Sequence, residues 1–223
     1  MTGSPPIGAD EQSLPAKCLN CQSALTTPIV CDGCHSLYPR PPWADYFALL
    51  GLPRTYAIDE KKLNASFRAI ARGVHPDRFA GAPEEVQTLA TRLSAEVNQA
   101  FHVLSDPVRR AGYLLELAGG PSPAEMREVP SELLAEVMML REQIDEAKTT
   151  GDDAALERQR GSIAARRQET LRQIAGLAES IAGLDEPRRR VLRRLLNSMK
   201  YFDNLLGELA ADPLAVSARA TND

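Results

Sequence analysis

Four cysteines lie near the start of the sequence, in two pairs that are each separated by two residues. The pairs read CLNC at 18–21 and CDGC at 31–34, which gives the spacing C-x2-C-x9-C-x2-C. Two residues between cysteines let a tight turn aim both thiolates at one ion, and two such turns complete a tetrahedral sulfur shell. The pattern predicts one structural zinc ion, with iron open as an alternative. The predicted ligands are Cys18, Cys21, Cys31 and Cys34.

Other uses of these cysteines fit the sequence less well. Disulfides are the main alternative, but they are rare in the reducing compartment that we expect for this chain. A redox role for one pair would need a βαβ setting, which the sequence lacks. His35 follows the last cysteine directly, and we interpret it as a bystander because four thiolates fill the ligand shell. Whether the zinc unit dimerises the protein, braces its neighbour or senses redox state stays open.

A second group of polar side chains ends a helical stretch in the sequence VHPDRF at 74–79. Proline disfavours helical geometry at the residue before it, so His75, Pro76 and Asp77 are predicted to lie on a loop between two helices. Their polar ends are expected to face solvent. An ordinary helix-terminating turn is the simpler alternative.

The helix that leads into this loop is basic, although the chain is acidic. Residues 61–78 contain five cations and one acid, whereas the whole chain has a formal net charge of −4. Arg68 and Arg72 lie one helical turn apart, away from the predicted core side. A basic face beside an exposed loop suits docking on an acidic protein surface, and a solvated charged face is the alternative. The cations are Lys61, Lys62, Arg68, Arg72 and Arg78.

Composition narrows the classes of protein that are compatible with the sequence. Of 223 residues, 43% are hydrophobic and only 5% are aromatic, which favours an all-α fold with a real core. The pI near 5.5 argues against a nucleic-acid binder. We expect a cytoplasmic protein without a membrane partner, because no apolar run reaches the ~20 residues that span a bilayer. The sequence contains none of the motifs that would indicate an enzyme, such as a phosphate-binding loop, a nucleophile elbow or a pair of carboxylates.

Proline and glycine clusters divide the chain into segments. YPRPPW at 38–43 is typical of a stiff linker, and GGPSP at 119–123 indicates a boundary between two helical domains. Short connections between helices predict an antiparallel three-helix bundle in the second domain. The predicted segments are a flexible tail at 1–16, a zinc knuckle at 17–40, a first helical domain at 44–119, a three-helix bundle at 125–210 and a flexible tail at 211–223.

Apolar periodicity predicts the helices of both domains. In the first domain, Asp45 should cap a short helix within 45–52, and Asp59 should cap a helix to about residue 73 with Leu63, Phe67, Ile70 and Val74 on its apolar side. A helix near 83–104 and a shorter one after residue 107 should follow. The second domain should contain helices from Ser131, from 153 to 182 and from 186 to 209. The predicted core row of the last helix consists of Leu192, Leu195, Met199, Phe202, Leu206 and Leu209.

The helix from Ser131 carries more apolar residues than one core row requires. Leu134 and Met138 form a second row about 100° from the first. A Met/Leu row beside charged residues is typical of a protein-binding surface, and a widened core stripe is the alternative. The core row itself is predicted as Leu133, Val137, Leu140 and Ile144.

Three stretches of the sequence together resemble a J domain, the module by which co-chaperones activate a DnaK-class ATPase. They read DYFALLGL, LNASFRAIARGVHPDRF and SAEVNQAFHVLSDPVRRAGYLLEL. More narrowly, residues 45–210 resemble the HscB family of iron–sulfur cluster co-chaperones, in which a J domain precedes a C-terminal three-helix bundle. Some members of that family also carry an N-terminal four-cysteine zinc unit, which matches the knuckle.

The resemblance implies a J domain at 44–119 and two protein-binding sites. The site for a chaperone of the HscA/DnaK class is implied at His75, Pro76, Asp77, Arg78, Arg68, Arg72, Lys61 and Lys62. The surface for an IscU-type iron–sulfur scaffold is implied at Leu134, Ala135, Met138, Met139, Arg141, Glu142 and Tyr201.

The expected function is therefore that of a co-chaperone, which binds the scaffold and stimulates the ATPase of the chaperone. The chain itself is not expected to be an enzyme or to bind nucleic acid, and a homodimer stays open. A general J-domain co-chaperone for other clients is one alternative. A zinc-containing interaction module without a chaperone role is another.

Overall fold

The chain is helical, as its composition predicts, and folds as two units. The structure is a computed structural model that describes residues 17–210, so both predicted tails lie outside the described range. The two units meet in sequence between Asp106 and Pro107. Within the described range, β-pairing is limited to two isolated bridges, which confirms the all-α class. The α-helices are α1 (Tyr46–Leu49), α2 (Glu60–Gly73), α3 (Glu84–Ser105), α4 (Pro107–Leu117), α5 (Ser131–Thr150), α6 (Asp153–Glu179) and α7 (Glu186–Ala210).

Aspartates begin the first two helices of the first unit. The Asp45 carboxylate accepts a hydrogen bond from the backbone N–H of Ala48 at 2.8 Å. The Asp59 carboxylate accepts one from the backbone N–H of Lys61 at 2.9 Å. Each cap satisfies an N–H group that has no partner within the helix, so both helices begin where the sequence predicts.

Helices α2 and α3 pack against each other and form the core of the first unit. Leu63 and Ile70 of α2 are buried, as the apolar spacing predicts. Phe67 is only half-buried, and its ring stacks on that of Phe101 in α3 with the centroids 4.1 Å apart. This stacked pair contributes to the packing of α2 on α3, together with the buried aliphatic residues.

The knuckle, residues 17–40, belongs to the same unit. The chain between its two cysteine pairs runs through the interior, where Thr27, Ile29 and Val30 are buried. Residues 17–40 contain no regular strand.

The second unit contains the three long helices that the sequence predicts. Gly151 ends α5 in the left-handed conformation with φ of 66°, and the side chain of Asp152 caps α6 by accepting from the Ala155 N–H at 2.8 Å. Helix α6 ends at Glu179, and a short 3-10 turn at Ile181–Gly183 follows it. The predicted end of α6 at residue 182 was therefore one turn too late.

Helix α4 also packs in the second unit, against α6 and α7. Its buried residues are Ala111, Leu114 and Leu115. The division between the units therefore precedes α4, one helix ahead of the boundary that the 119–123 segment indicates.

The core row predicted for α7 was wrong at two positions. Leu196 and Leu205 are buried, whereas Leu195 and Leu206 are only half-buried. The physical reason is that α7 is contacted by α4, α5 and α6, so it buries a wider face than one row of heptad-like spacing describes. That wider face also includes Arg193, which is 4% exposed.

Candidate functional site

The four cysteines form one cluster in the knuckle. Their sulfur atoms all lie within 4.8 Å of one another. The Cys18–Cys34 and Cys21–Cys31 sulfur pairs are each separated by 3.5 Å. Four sulfurs placed about 2.3 Å from one tetrahedral ion would be about 3.8 Å apart, so the spacing fits a single metal ion. His35 is not part of the cluster.

The two halves of the knuckle repeat each other in sequence and in backbone geometry. Residues 17–24 (KCLNCQSA) and 30–37 (VCDGCHSL) share cysteines at positions two and five and a serine at position seven. Each half closes with a bridge between its first and last residues. The residue after the second cysteine has a positive φ in both halves, 60° at Gln22 and 59° at His35. This repeat was not among the sequence-based predictions, although the shared cysteine and serine positions signal it.

Hydrogen-bond donors surround the sulfur of Cys18. The hydroxyl of Tyr38 lies 3.1 Å from it, and the backbone N–H groups of Cys21 and Asn20 donate to it at 3.5 and 3.4 Å. These interactions, led by that of Tyr38, lower the pKa of the Cys18 thiol to about 5. A sulfur held as a thiolate is the form that binds a metal ion.

The second half of the knuckle supplies a matching set of donors. The hydroxyl of Ser36 lies 3.1 Å from the sulfur of Cys34, and this contact lowers the pKa of the Cys34 thiol. The backbone N–H of Gly33 donates to the sulfur of Cys31 at 3.3 Å. Hydrogen-bond donors of this kind stabilise the thiolates of a metal site, so the surroundings of both cysteine pairs fit the predicted metal ion.

The second candidate site is the turn after α2. A short 3-10 helix, Pro76–Phe79, replaces the irregular loop that the sequence predicts. His75 caps it, because its Nδ1 accepts a hydrogen bond from the backbone N–H of Asp77 at 3.3 Å. In the neutral imidazole this leaves the proton on Nε2, available to a partner. The side chains of His75 and Asp77 are 54% and 91% exposed.

The cations beside this turn form an exposed group that we call the basic face. It consists of the five cations that the sequence analysis names, Lys61, Lys62, Arg68, Arg72 and Arg78, and all five are exposed. Among residues 17–210, none of them has an acidic side chain within ion-pair distance. Their charge is therefore not neutralised by that part of the chain. Four of these cations lie on α2, and Arg78 lies with His75 on the turn that follows it.

A third candidate site lies on α5. Leu134, Met138 and Met139 are 41%, 66% and 55% exposed, and we call them the apolar patch. The buried residues of the helix are Leu133, Val137, Ile144 and Ala147, while Leu140 is half-buried. Leu134 and Met138 therefore do not widen the core stripe, which removes the alternative that their spacing left open.

The other residues predicted for this surface have varied surroundings. Ala135 and Glu142 are exposed, and Tyr201 on α7 is half-buried. Arg141 is engaged within the unit, where its guanidinium donates to Glu208 at 2.9 Å. The patch is thus apolar at its centre and charged at its edge, a composition found in protein interfaces.

Comparison with known families places these sites in two recognised domains. A family model described as the DnaJ domain matches residues 45–113. A second one, described as the HSCB C-terminal oligomerisation domain, matches residues 129–210. The chain is an HscB-type J-domain co-chaperone.

Two solved structures are similar to this HscB-type chain over most of its length. The crystal structure of human co-chaperone protein HscB shares 26% identity with a TM-score of 0.71, covering 87% of this chain and 96% of that one. Chaperone HscB from Vibrio cholerae shares 29% identity with a TM-score of 0.65, covering 79% and 99%. These matches confirm the predicted order of a J domain followed by the HscB-type helical domain.

The cysteine cluster of this HscB-type chain lies outside the ranges of both family models, since it ends before residue 45. The turn with His75 lies inside the DnaJ range, and the apolar patch lies inside the HSCB range. None of the helices in residues 17–210 combines the length and apolarity that crossing a membrane requires.

Proposed function

We propose that this chain binds an IscU-type iron–sulfur scaffold and stimulates the ATPase of an HscA/DnaK-class chaperone, so that cluster transfer and protein maturation are promoted. HscB-type proteins are regulators of a chaperone, and in this proposal ATP hydrolysis takes place in the partner. The observation that carries the proposal is the exposed turn with His75 and Asp77 beside a basic face without acidic partners, in a DnaJ domain joined to an HSCB domain.

The turn and the basic face suit an acidic partner surface for electrostatic reasons. Five exposed cations raise the rate of encounter with such a surface, and the desolvated imidazole and carboxylate then fix the register. The backbone N–H of Asp77 holds the His75 ring in place, so the imidazole loses little side-chain freedom on docking. We assign chaperone binding to His75, Pro76, Asp77, Arg78 and the cations of α2.

The decisive measurement is steady-state ATP hydrolysis by a purified HscA-type chaperone with increasing amounts of this protein. We expect hydrolysis to rise, and His75→Gln to remove the rise because glutamine has no acceptor at the Nδ1 position and so cannot cap the turn and present an N–H donor to the partner at the same time. His102→Gln changes an exposed histidine of α3 and is the matched control. Equal stimulation by wild type and His75→Gln would contradict the assignment. No stimulation by the wild type would favour an interaction module without a chaperone role.

We assign scaffold binding to the apolar patch with Ala135, Arg141, Glu142 and Tyr201. Three large apolar side chains stay exposed on one helix, and exposed groups of this kind mark protein-binding surfaces. Methionine adapts its shape to a partner at low cost, which suits a surface that must bind and release a client.

Calorimetric titration with an IscU-type scaffold tests this assignment. The double change Leu134→Ala and Met138→Ala should weaken binding by on the order of 100-fold, because truncated anchor residues cost about 1–2 kcal/mol each. Val191→Ala is the matched control, since Val191 is 44% exposed on α7. Unchanged binding by the double variant would contradict the site. Stimulation of the chaperone without scaffold binding would favour a general J-domain co-chaperone.

We propose zinc as the ion of the cysteine cluster, bound once per chain in a structural role. Four thiolates form the closed shell of structural zinc, and iron is the competing ion for the same geometry. Metal analysis after purification without added metal should find about one zinc ion per chain. Stoichiometric iron would replace the assignment. Reduced thiols in a metal site suit the cytoplasm, which we propose as the compartment.

A further inference from the structure

The chain between the two cysteine pairs is buried more deeply than metal binding requires. Residues 25–30, which we call the spacer, carry no ligand, yet Thr27, Ile29 and Val30 are 3%, 0% and 2% exposed. A knuckle that served only to hold an ion could leave its spacer in solvent. The burial means that the spacer packs on the remainder of the first unit.

Gly73, the last residue of α2, marks one point where the spacer packs. A Cβ atom at Gly73 would lie 3.3 Å from Cγ2 and 3.4 Å from Cγ1 of Val30. Real Cβ contacts are rarely this short, so the end of α2 and the spacer approach closely because residue 73 has no side chain. Glycine weakens the last turn of a helix, and the contact with Val30 gives a reason for it at this position.

Gly51 marks a second point of contact. It follows α1 with φ of +62°, a conformation that favours glycine, and a Cβ there would lie 3.3 Å from the backbone oxygen of Thr26. Two glycines of the helical part thus face two residues of the spacer. Two independent close approaches indicate a fitted interface within the unit.

The contact between Val30 and Gly73 is close in sequence to the cysteine cluster on one side and to the exposed turn on the other. Val30 immediately precedes the ligand Cys31, and Gly73 lies two residues before His75. Val74, between them, is fully buried. A metal ion held by Cys31 would fix the position of the adjacent Val30, and the end of α2 packs on Val30.

We propose that metal binding by the knuckle is thermodynamically coupled to the ordering of the His75-Pro76-Asp77 turn through the contact between Val30 and Gly73. The proposal deepens the proposed function and rests on it for its biological meaning, since the turn is the assigned chaperone-binding element. Metal loss frees Cys31, releases the spacer and loosens the end of α2. Coupling is reciprocal, so loosening the contact from the helix side weakens metal binding by the same factor.

Hydrogen exchange on the full chain tests the coupling without any chaperone. The protein is compared in its zinc-loaded form and after treatment with a chelator and a thiol reductant. Amides of residues 70–79 should exchange at least about 5-fold faster without zinc, the lower end of common coupling strengths. Amides of α5 to α7 should not change. Zinc affinity is measured separately by competition with a chromophoric chelator.

Two variants perturb the contact, and each has a matched control. Val30→Ala removes the contact atoms and should lower zinc affinity about 5-fold or more while making exchange at 70–79 insensitive to zinc. Leu19→Ala makes a similar truncation at a site that is 80% exposed and should do neither. Gly73→Leu forces the surfaces apart, and Gly81→Leu is its control because a Cβ at Gly81 has no neighbour within 4 Å. If Gly73→Leu fails to fold, Val30→Ala decides.

Two results would overturn the coupling. One is faster exchange confined to residues 17–40 after zinc removal, and the other is unchanged zinc affinity in Val30→Ala. The double change Arg68→Glu and Arg72→Glu separates this proposal from the proposed function, because it alters exposed side chains outside the Val30–Gly73 contact. It should weaken ATPase stimulation and leave zinc affinity as in the wild type. Intact coupling in a wild type that does not stimulate the chaperone would contradict the proposed function alone. If the wild type stimulates the chaperone but exchange at residues 70–79 is the same with and without zinc, only the coupling is contradicted.

Discussion

Helices α2 and α7 each contribute to a group of cations, and the two groups differ in how many of their members form ion pairs. The basic face of α2 and its turn has five exposed cations without an acidic partner among residues 17–210. Helix α7 has five arginines between residues 188 and 194, and three of them form ion pairs within their own unit. The three are Arg190, Arg193 and Arg194.

The arginines of α7 hold the segment that follows α4. Arg193 donates through Nε to the backbone oxygen of Pro121 at 2.8 Å, and its guanidinium lies 3.6 Å from the Glu116 carboxylate. Burial lowers its pKa, with Glu116 opposing that effect. Arg190 and Arg194 both reach Glu128. Charge on α7 therefore stabilises the second unit, whereas charge on α2 remains available to another protein.

Arg193→Ala should have the largest effect on stability. It leaves the Pro121 carbonyl without its donor and creates a cavity at a residue that is 4% exposed, which should cost about 2–4 kcal/mol. Urea unfolding followed by circular dichroism measures the loss. Arg188→Ala, on an exposed arginine of the same helix, should stay within about 0.5 kcal/mol. Equal stabilities of the two variants would mean that burial does not distinguish Arg193 from an exposed arginine of the same helix.

Reversing charge on the basic face should leave stability alone and weaken partner binding. The double change Arg68→Glu and Arg72→Glu should raise the concentration for half-maximal ATPase stimulation by about 10–100-fold, because like charges would meet across the interface. The stimulation by wild type should also weaken with added salt, and the variant should lose that dependence. The control is the double change Arg158→Glu and Arg172→Glu on α6. Equal loss in both double variants would point to net charge and not to a site.

Arg194→Ala should have the smallest effect. Its pair with Glu128 spans 3.1 Å, but the two side chains are 45% and 58% exposed. Exposed pairs contribute about 0–1 kcal/mol, so we expect a loss within that range by urea unfolding and no change in ATPase stimulation. A loss as large as that of Arg193→Ala would show that the exposed pairs around Glu128 act together as a network.

Much of the architecture was predictable from local sequence signals. Asp45 and Asp59 cap the helices that they were expected to begin, and the C-x-x-C pairs converge as their spacing predicts. The exposure of Leu134 and Met138 agrees with a row outside the core. These signals succeed because caps, turns and helical periodicity depend on residues within one or two helical turns of each other.

The errors occurred where several helices meet. The row through Leu195 and Leu206 failed because α7 has neighbours on more than one side. Helix α4 packs on α6 and α7 in the second unit, although the DnaJ match extends to residue 113 and includes most of this helix. Arg193 was not predicted to be buried, since an arginine enters a core only where a carbonyl and a carboxylate happen to lie within reach.

The sequence by itself determined the helical class, the convergence of the four cysteines, the turn at His75, and the exposure of the basic face and the apolar patch, because each depends on residue types at short spacing. The tertiary structure decided which cations form ion pairs and which do not, because an ion pair can join residues as far apart in sequence as Glu116 and Arg193. It also decided why residue 73 is glycine. Gly73 ends α2 without the left-handed φ that usually selects glycine at a helix end, and a Cβ at this position would lie 3.3 Å from Val30.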